Sequence, residues 1–97
     1  MTTIREFQEL MKRMYFHRDE KRGAERTMLW LLSETGEFAD ALVKNNKKGL
    51  QDEAADIFAW LCSECNLLGI DLEEEVLKKY SKCPRCGQEI CECPENY

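Results

Sequence analysis

Two glutamates three residues apart, Glu34 and Glu37, and a second acidic pair at the same spacing, Glu53 and Asp56, stand in apolar stretches of a 97-residue chain. Acid-x-x-acid places two carboxylates on one helix surface, where like charges repel. On a wheel of about 100° per residue, Met28, Leu31, Leu32, Phe38, Ala39, Leu42 and Val43 form a broad apolar arc, edged by Trp30 and Ala41. Glu34 falls inside that arc and Glu37 on its border beside Trp30, while Ser33, Asp40 and Lys44 make the polar strip opposite. Glu53 and Asp56 likewise flank the meridian of Ile57 and Trp60. Neither pair has an Arg or Lys on its own face; the nearest bases are Lys44, Lys47 and Lys48. Any one of these acids alone reads as a solvated boundary residue, and Glu53 could simply complement a helix dipole. Four carboxylates converging from two antiparallel helices are costly unless a cation holds them. Oxygen-only ligands select a hard cation, Mg²⁺ or Mn²⁺, and Mg²⁺ shares its shell with phosphates. The chemistry expected of the four is metal-assisted attack on a polyphosphate.

The six cysteines point elsewhere. Cys62 and Cys65 lie in an apolar helical stretch and are expected to be core thiols, with an interface contact as the alternative. Cys83-Pro84-Arg85-Cys86-Gly87 is a Cys-x-x-Cys with a turn built in, and Cys91-x-Cys93 completes four soft ligands. Four thiolates suffice for tetrahedral Zn²⁺, which would supply the folding energy of a tail too short for a core. The competing reading, a redox pair at Cys83 and Cys86, lacks a βαβ context.

Helices must position these groups. The first 80 residues hold no proline and are rich in Leu, Ala, Glu, Lys and Met, and no segment alternates with period two. An all-α fold follows, with four helices. Thr3 and Glu6 form a capping box opening a helix to about His17; the second spans about Thr27 to Lys44. Asn45 to Gly49 reads as a loop, and a third helix runs from about Leu50 to Leu68, apolar nearly all the way round. Asp71 with Glu74 opens a fourth helix to about Ser81. Residues 1–82 are expected to form the helical domain and 83–97 a Cys-rich, zinc-binding tail. The third helix is too apolar for three small neighbours to cover, so the bundle is expected to be completed by oligomerisation.

Composition excludes several classes of function. Nineteen acidic against fourteen basic residues leave a net charge of −5 and a pI near 4.9. That argues against binding nucleic acid, and no apolar run approaches the ~20 residues of a membrane span. The first residues lack the pattern of a signal peptide, and a cytoplasmic location is expected.

Glu34-Thr35-Gly36-Glu37-Phe38-Ala39-Asp40-Ala41-Leu42, followed by Asp52-Glu53-Ala54-Ala55-Asp56-Ile57-Phe58-Ala59-Trp60, resembles the MazG-like nucleotide pyrophosphohydrolases. Their signature is Glu-Glu-x-x-Glu, a spacer, and Glu-x-x-Asp, on an all-α scaffold shared with dimeric dUTP pyrophosphatases. The resemblance covers about residues 1–82. It departs at the first glutamate, which is Ser33 here, on the polar strip. Members of the dCTP-pyrophosphatase branch also lack an acid at that place. The resemblance implies a four-helix bundle assembled as a homodimer or homotetramer. It implies that Glu34, Glu37, Glu53 and Asp56 bind Mg²⁺, with Glu37 as candidate general base, and that a nucleoside triphosphate is cleaved to monophosphate and pyrophosphate. Lys44, Lys47, Lys48, Lys78 and Lys79 are candidate phosphate contacts, with solvated helix-end charges as the alternative. Trp30, Trp60, Tyr15 and Phe16 are candidates for stacking on a base, with core packing as the alternative. Arg18 and Arg22 precede the second helix, where a phosphate or interface role is open. A rival reading is a non-catalytic dimeric helical module that binds nucleotide or protein and carries a zinc tail.

Overall fold

The computed structural model describes residues 2–95; Met1, Asn96 and Tyr97, at the ends of the two expected segments, lie outside the described residues. The described residues form four α-helices and no strand: α1 (Ile4–Arg22), α2 (Ala24–Val43), α3 (Lys47–Leu68) and α4 (Leu72–Lys79). The Thr3 hydroxyl accepts the Glu6 N–H at 3.0 Å and the Glu6 carboxylate accepts the Thr3 N–H at 2.8 Å, so the capping box forms. α1 runs one turn beyond the expected His17, because Arg18 to Arg22 contains no helix breaker. It stops at Gly23, whose φ of 87° and ψ of 160° a side chain would strain. That one residue turns the chain directly into α2.

The loop expected at 45–49 is shorter than read. The Asn46 side chain accepts the Gly49 N–H at 3.0 Å and caps α3 from Lys47, so Lys47, Lys48 and Gly49 are helical. A Cβ on Gly49 would lie 3.3 Å from that of Ala41, which shows how closely the two helices approach there. α3 ends at Gly69 in the left-handed conformation. Asp71 caps α4 by accepting the Glu74 N–H at 3.2 Å. α4 is also shorter than expected, ending at Lys79.

α3 packs against both α1 and α2, and α4 returns onto α1. Gln8 fixes that return. Its amide donates to Asn66 Oδ1 at 3.0 Å and to the Ile70 carbonyl at 2.7 Å, and its Oε1 accepts the Leu72 N–H at 3.0 Å. A buried amide with its hydrogen bonds met stabilises one geometry. Arg5 adds ion pairs to Asp71 and Glu73, each 2.8 Å. Met11, Leu31, Ala41, Cys62 and Cys65 are the buried apolar residues. Burial pushes the Cys62 thiol up to about 11 and raises Cys65 as well, so both are core thiols.

The broad apolar arc of α2 is not one buried face. Thr27, Leu31, Glu34, Phe38 and Ala41, spaced by four and three, turn toward the rest of the chain and are buried or half-buried. Met28, Leu32, Leu42 and Val43 remain exposed, Val43 by 84%. A helix that meets one main neighbour covers a stripe narrower than its apolar arc. α3 is similarly uneven: it is buried around Cys62–Cys65, whereas Phe58 and Leu68 are exposed. The radius of gyration, 15.9 Å, exceeds the roughly 12.5 Å expected of a compact domain this long.

Candidate metal centre and adjoining cavity

The three-residue connection from Lys44 to Asn46 sets α2 and α3 antiparallel. Glu34 and Glu37, one turn apart on α2, therefore face the first turns of α3, where Glu53 sits. One carboxylate oxygen each from Glu34, Glu37 and Glu53 lies within 4.8 Å of the others. Glu34 Oε2 and Glu53 Oε2 are buried and have no hydrogen-bond partner, while Glu37 is exposed. No ion pair among the described residues reaches any of the three. The closely facing Glu34 carboxylate first, then burial, then the Glu37 carboxylate push Glu53 up to about 7. Orphaned buried oxygens on converging carboxylates fit a hard divalent cation, the donor set that such ions take.

Asp56 does not join that group. It lies three residues beyond Glu53 and is exposed, on the wall of a cavity of about 330 Å³ between α3 and α1. Tyr15, Arg18, Asp19 and Arg22 of α1 and Trp60 of α3 line the same cavity. Asp19 is only 2% exposed. One of its oxygens takes an ion pair from Arg22 at 2.8 Å and the other has no partner. Arg22 also sits 4.8 Å from the Trp60 ring centre, a cation–π contact. Trp60 stacks on Trp30 with ring centres 5.8 Å apart and planes 7° from parallel. Asp19 falls in a charged run and carried no sequence signal for burial, whereas Glu64 lies alone among apolar residues of α3, a signal that a search for acid pairs passes over. Burial, then Glu25 and Asp19, raise the pKa of Glu64.

The candidate lysines stand apart from the carboxylates, in local exposed pairs. Lys44 meets Asp40 at 2.9 Å, Lys48 meets Asp52 at 2.8 Å and Lys78 meets Glu75 at 3.7 Å. Lys47 is the exposed first residue of α3, and Lys79 lies over the Tyr80 ring. Phe16 lies beneath Lys12.

The tail gathers its thiols. The sulfurs of Cys83, Cys86, Cys91 and Cys93 all lie within 4.8 Å of one another. Cys83 Sγ is 3.8 Å from the sulfurs of both Cys91 and Cys93. Amide hydrogen bonds, from Cys86 foremost and then Arg85, pull the Cys83 thiol down to about 6. The amides of Glu92 and Gln88 lower Cys86, and hydrogen bonding to Cys91, with burial, pushes Cys93 up to about 12. Among the described residues no helix is long and apolar enough to cross a membrane.

A family model described as the MazG nucleotide pyrophosphohydrolase domain matches residues 22–87, 66 of the 97 residues. The matched span contains α2, α3 and α4 and both halves of the carboxylate group. No curated protein matches the chain.

Proposed function

Because the chain belongs to the MazG nucleotide pyrophosphohydrolase domain family, we propose that it hydrolyses nucleoside triphosphates to the monophosphate and pyrophosphate with Mg²⁺ or Mn²⁺. One observation carries this reading: Glu34, Glu37 and Glu53 converge within 4.8 Å, and two of them carry buried oxygens with no partner. Glu34 and Glu53, the recessed pair, would hold the cation together with Glu37, the exposed member, whereas Asp56 lines the neighbouring cavity. When bound, the cation neutralises phosphate charge and acidifies a water for attack on phosphorus. Glu37 is the exposed member, able to take the proton of an attacking water and pass it to solvent. α2 and α3 hold the carboxylates fixed before substrate arrives, so little reorganisation accompanies charge development.

The cavity beside Asp56 suits the nucleoside. Its volume falls in the range of small-molecule sites. Tyr15 is the ring available to a base, while Trp60, held by Arg22 and Trp30, forms a fixed part of the wall. Arg22 is engaged by Asp19 and Trp60, which leaves Arg18 as the cavity arginine with a phosphate or sugar to meet. Lys44, Lys47, Lys48 and Lys78 serve as peripheral charge that draws in an anionic substrate. The exposed apolar strip Met28, Leu32, Leu42 and Val43 is covered by a second copy in a homodimer or homotetramer, the form in which the α-helical domain, about residues 1–82, works. The enzyme acts in the cytoplasm, on the nucleotide pool.

The test is pyrophosphate release from a broad panel of canonical and damaged nucleoside triphosphates, with and without Mg²⁺. Cation-dependent release of pyrophosphate with the matching monophosphate is expected. Tight triphosphate binding without cleavage of any panel member would instead make the chain a nucleotide-binding module.

A further inference from the structure

Residues 80–95 form neither helix nor strand, and none of them is buried. No apolar core orders this segment, yet its four thiols converge. Two tight features bring them together. The Gly87 N–H donates to the Cys83 carbonyl at 2.9 Å and the Cys83 N–H to the Gln88 carbonyl at 3.0 Å, closing a knuckle around Cys83 and Cys86. Gly87 makes that closure with a φ of 75°, in the left-handed region. Backbone N–H groups of Glu92 and Cys93 donate to the sulfurs of Cys86 and Cys91, each at 3.4 Å. Such hydrogen bonds orient sulfurs as ligands. They do not help a disulfide, and all six cysteines are free thiols.

The spacing fits a tetrahedral ion such as zinc. Four sulfurs about 2.3 Å from a tetrahedral Zn²⁺ lie about 3.8 Å apart along each edge. Cys83 stands 3.8 Å from Cys91 and from Cys93. We propose that Cys83, Cys86, Cys91 and Cys93 bind one Zn²⁺ per chain in a closed four-thiolate site that folds residues 83–95 and takes no part in the hydrolytic chemistry. All four positions of the tetrahedron are filled by protein, which leaves none for water or substrate. On binding, each thiol still protonated releases its proton to solvent, and no electron moves. The site is separate from the carboxylate centre in ligand chemistry as well as in sequence: soft thiolates select zinc, hard carboxylates the alkaline-earth ion.

The experiment uses the full chain, purified under reducing conditions without chelator. Metal analysis should find one zinc per chain. Replacement by Co²⁺ should give the intense visible ligand-field bands of tetrahedral thiolate cobalt. The double variant Cys86→Ser, Cys93→Ser should lose both signals while its far-UV dichroism keeps the helices. Chelation should open the Lys82 and Arg85 peptide bonds to trypsin at least tenfold faster, with α1–α3 still resistant. Zinc absent even after reconstitution, iron in its place, full zinc retained by the double variant, or a Cys83–Cys86 disulfide in the reduced protein would each overturn the assignment. Pyrophosphate release is read separately, so either reading can fail without the other.

Discussion

At the residue scale the carboxylate group is unbalanced without a cation, which makes its charge testable. Glu53→Gln removes a proposed ligand and the charge repulsion between Glu53 and Glu34. Turnover should fall by about 100-fold or more, since even residues behind a metal ligand are worth 10–100-fold in affinity or activity. The metal-free variant should nevertheless melt no lower than the parent, and the rise in Tm that Mg²⁺ gives the parent should vanish. Paired melting curves with and without Mg²⁺ check both; a variant that keeps its Mg²⁺ response would remove Glu53 from the site. The proton on Glu53 has its own signature. Its folded pKa, about 7, lies above the ordinary 4.5, so between those values the folded chain holds a proton that the unfolded chain has released. Stability of the metal-free protein should therefore fall as pH rises from about 4.5 to about 7 and level off above. Glu53→Gln should flatten that part of the Tm–pH profile.

At the element scale, the connections decide where the side chains point. Gly23 alone joins α1 to α2, in a conformation nearly reserved for glycine, and a Cβ there would have only Glu25 Oε2, at 3.9 Å, near it. The barrier to Gly23→Ala is thus backbone strain and not space. The substitution should cost about 1–3 kcal/mol, read by denaturant unfolding, and should weaken substrate binding more than it affects Mg²⁺ binding. α1 carries Tyr15, Arg18 and Arg22, whereas the three carboxylates belong to α2 and α3 alone. Helix existence was legible because proline-free, Leu- and Ala-rich segments are punctuated by Gly and by Ser/Thr/Asp/Asn caps. Boundaries were less so. Whether Lys47 to Gly49 is loop or first turn depended on Asn46 capping α3, a choice that the packing of Gly49 on Ala41 helps to settle.

At the scale of the whole molecule, a single chain leaves too much apolar surface uncovered. Leu42 and Val43 are 63% and 84% exposed at the end of α2, and the chain is extended for its length. Light scattering at micromolar concentration should give the mass of a dimer or tetramer. Leu32→Lys, which places a charge on the exposed strip and away from the carboxylates, should shift the mass toward the monomer and lower Tm. A monomeric parent protein with full activity would refute the assembly while leaving the chemistry intact.

The sequence alone determined the all-α class, the placing of acidic pairs on the apolar faces of two helices and the soft donor set of the Cys-rich tail. Each follows from short-range rules: helical spacing, an apolar setting and the length of a turn. Tertiary structure decided what those rules cannot. A wheel gives the angle of a residue about its own helix but not which of two neighbours that angle faces. Glu53 therefore turned to α2, whereas Asp56, three residues on, turned to the cavity against α1. Asp19 and Glu64 became buried carboxyls for the same reason, because helices distant in sequence closed over them. The split of the α2 arc into a covered stripe and an open one likewise depended on how many neighbours the fold supplies.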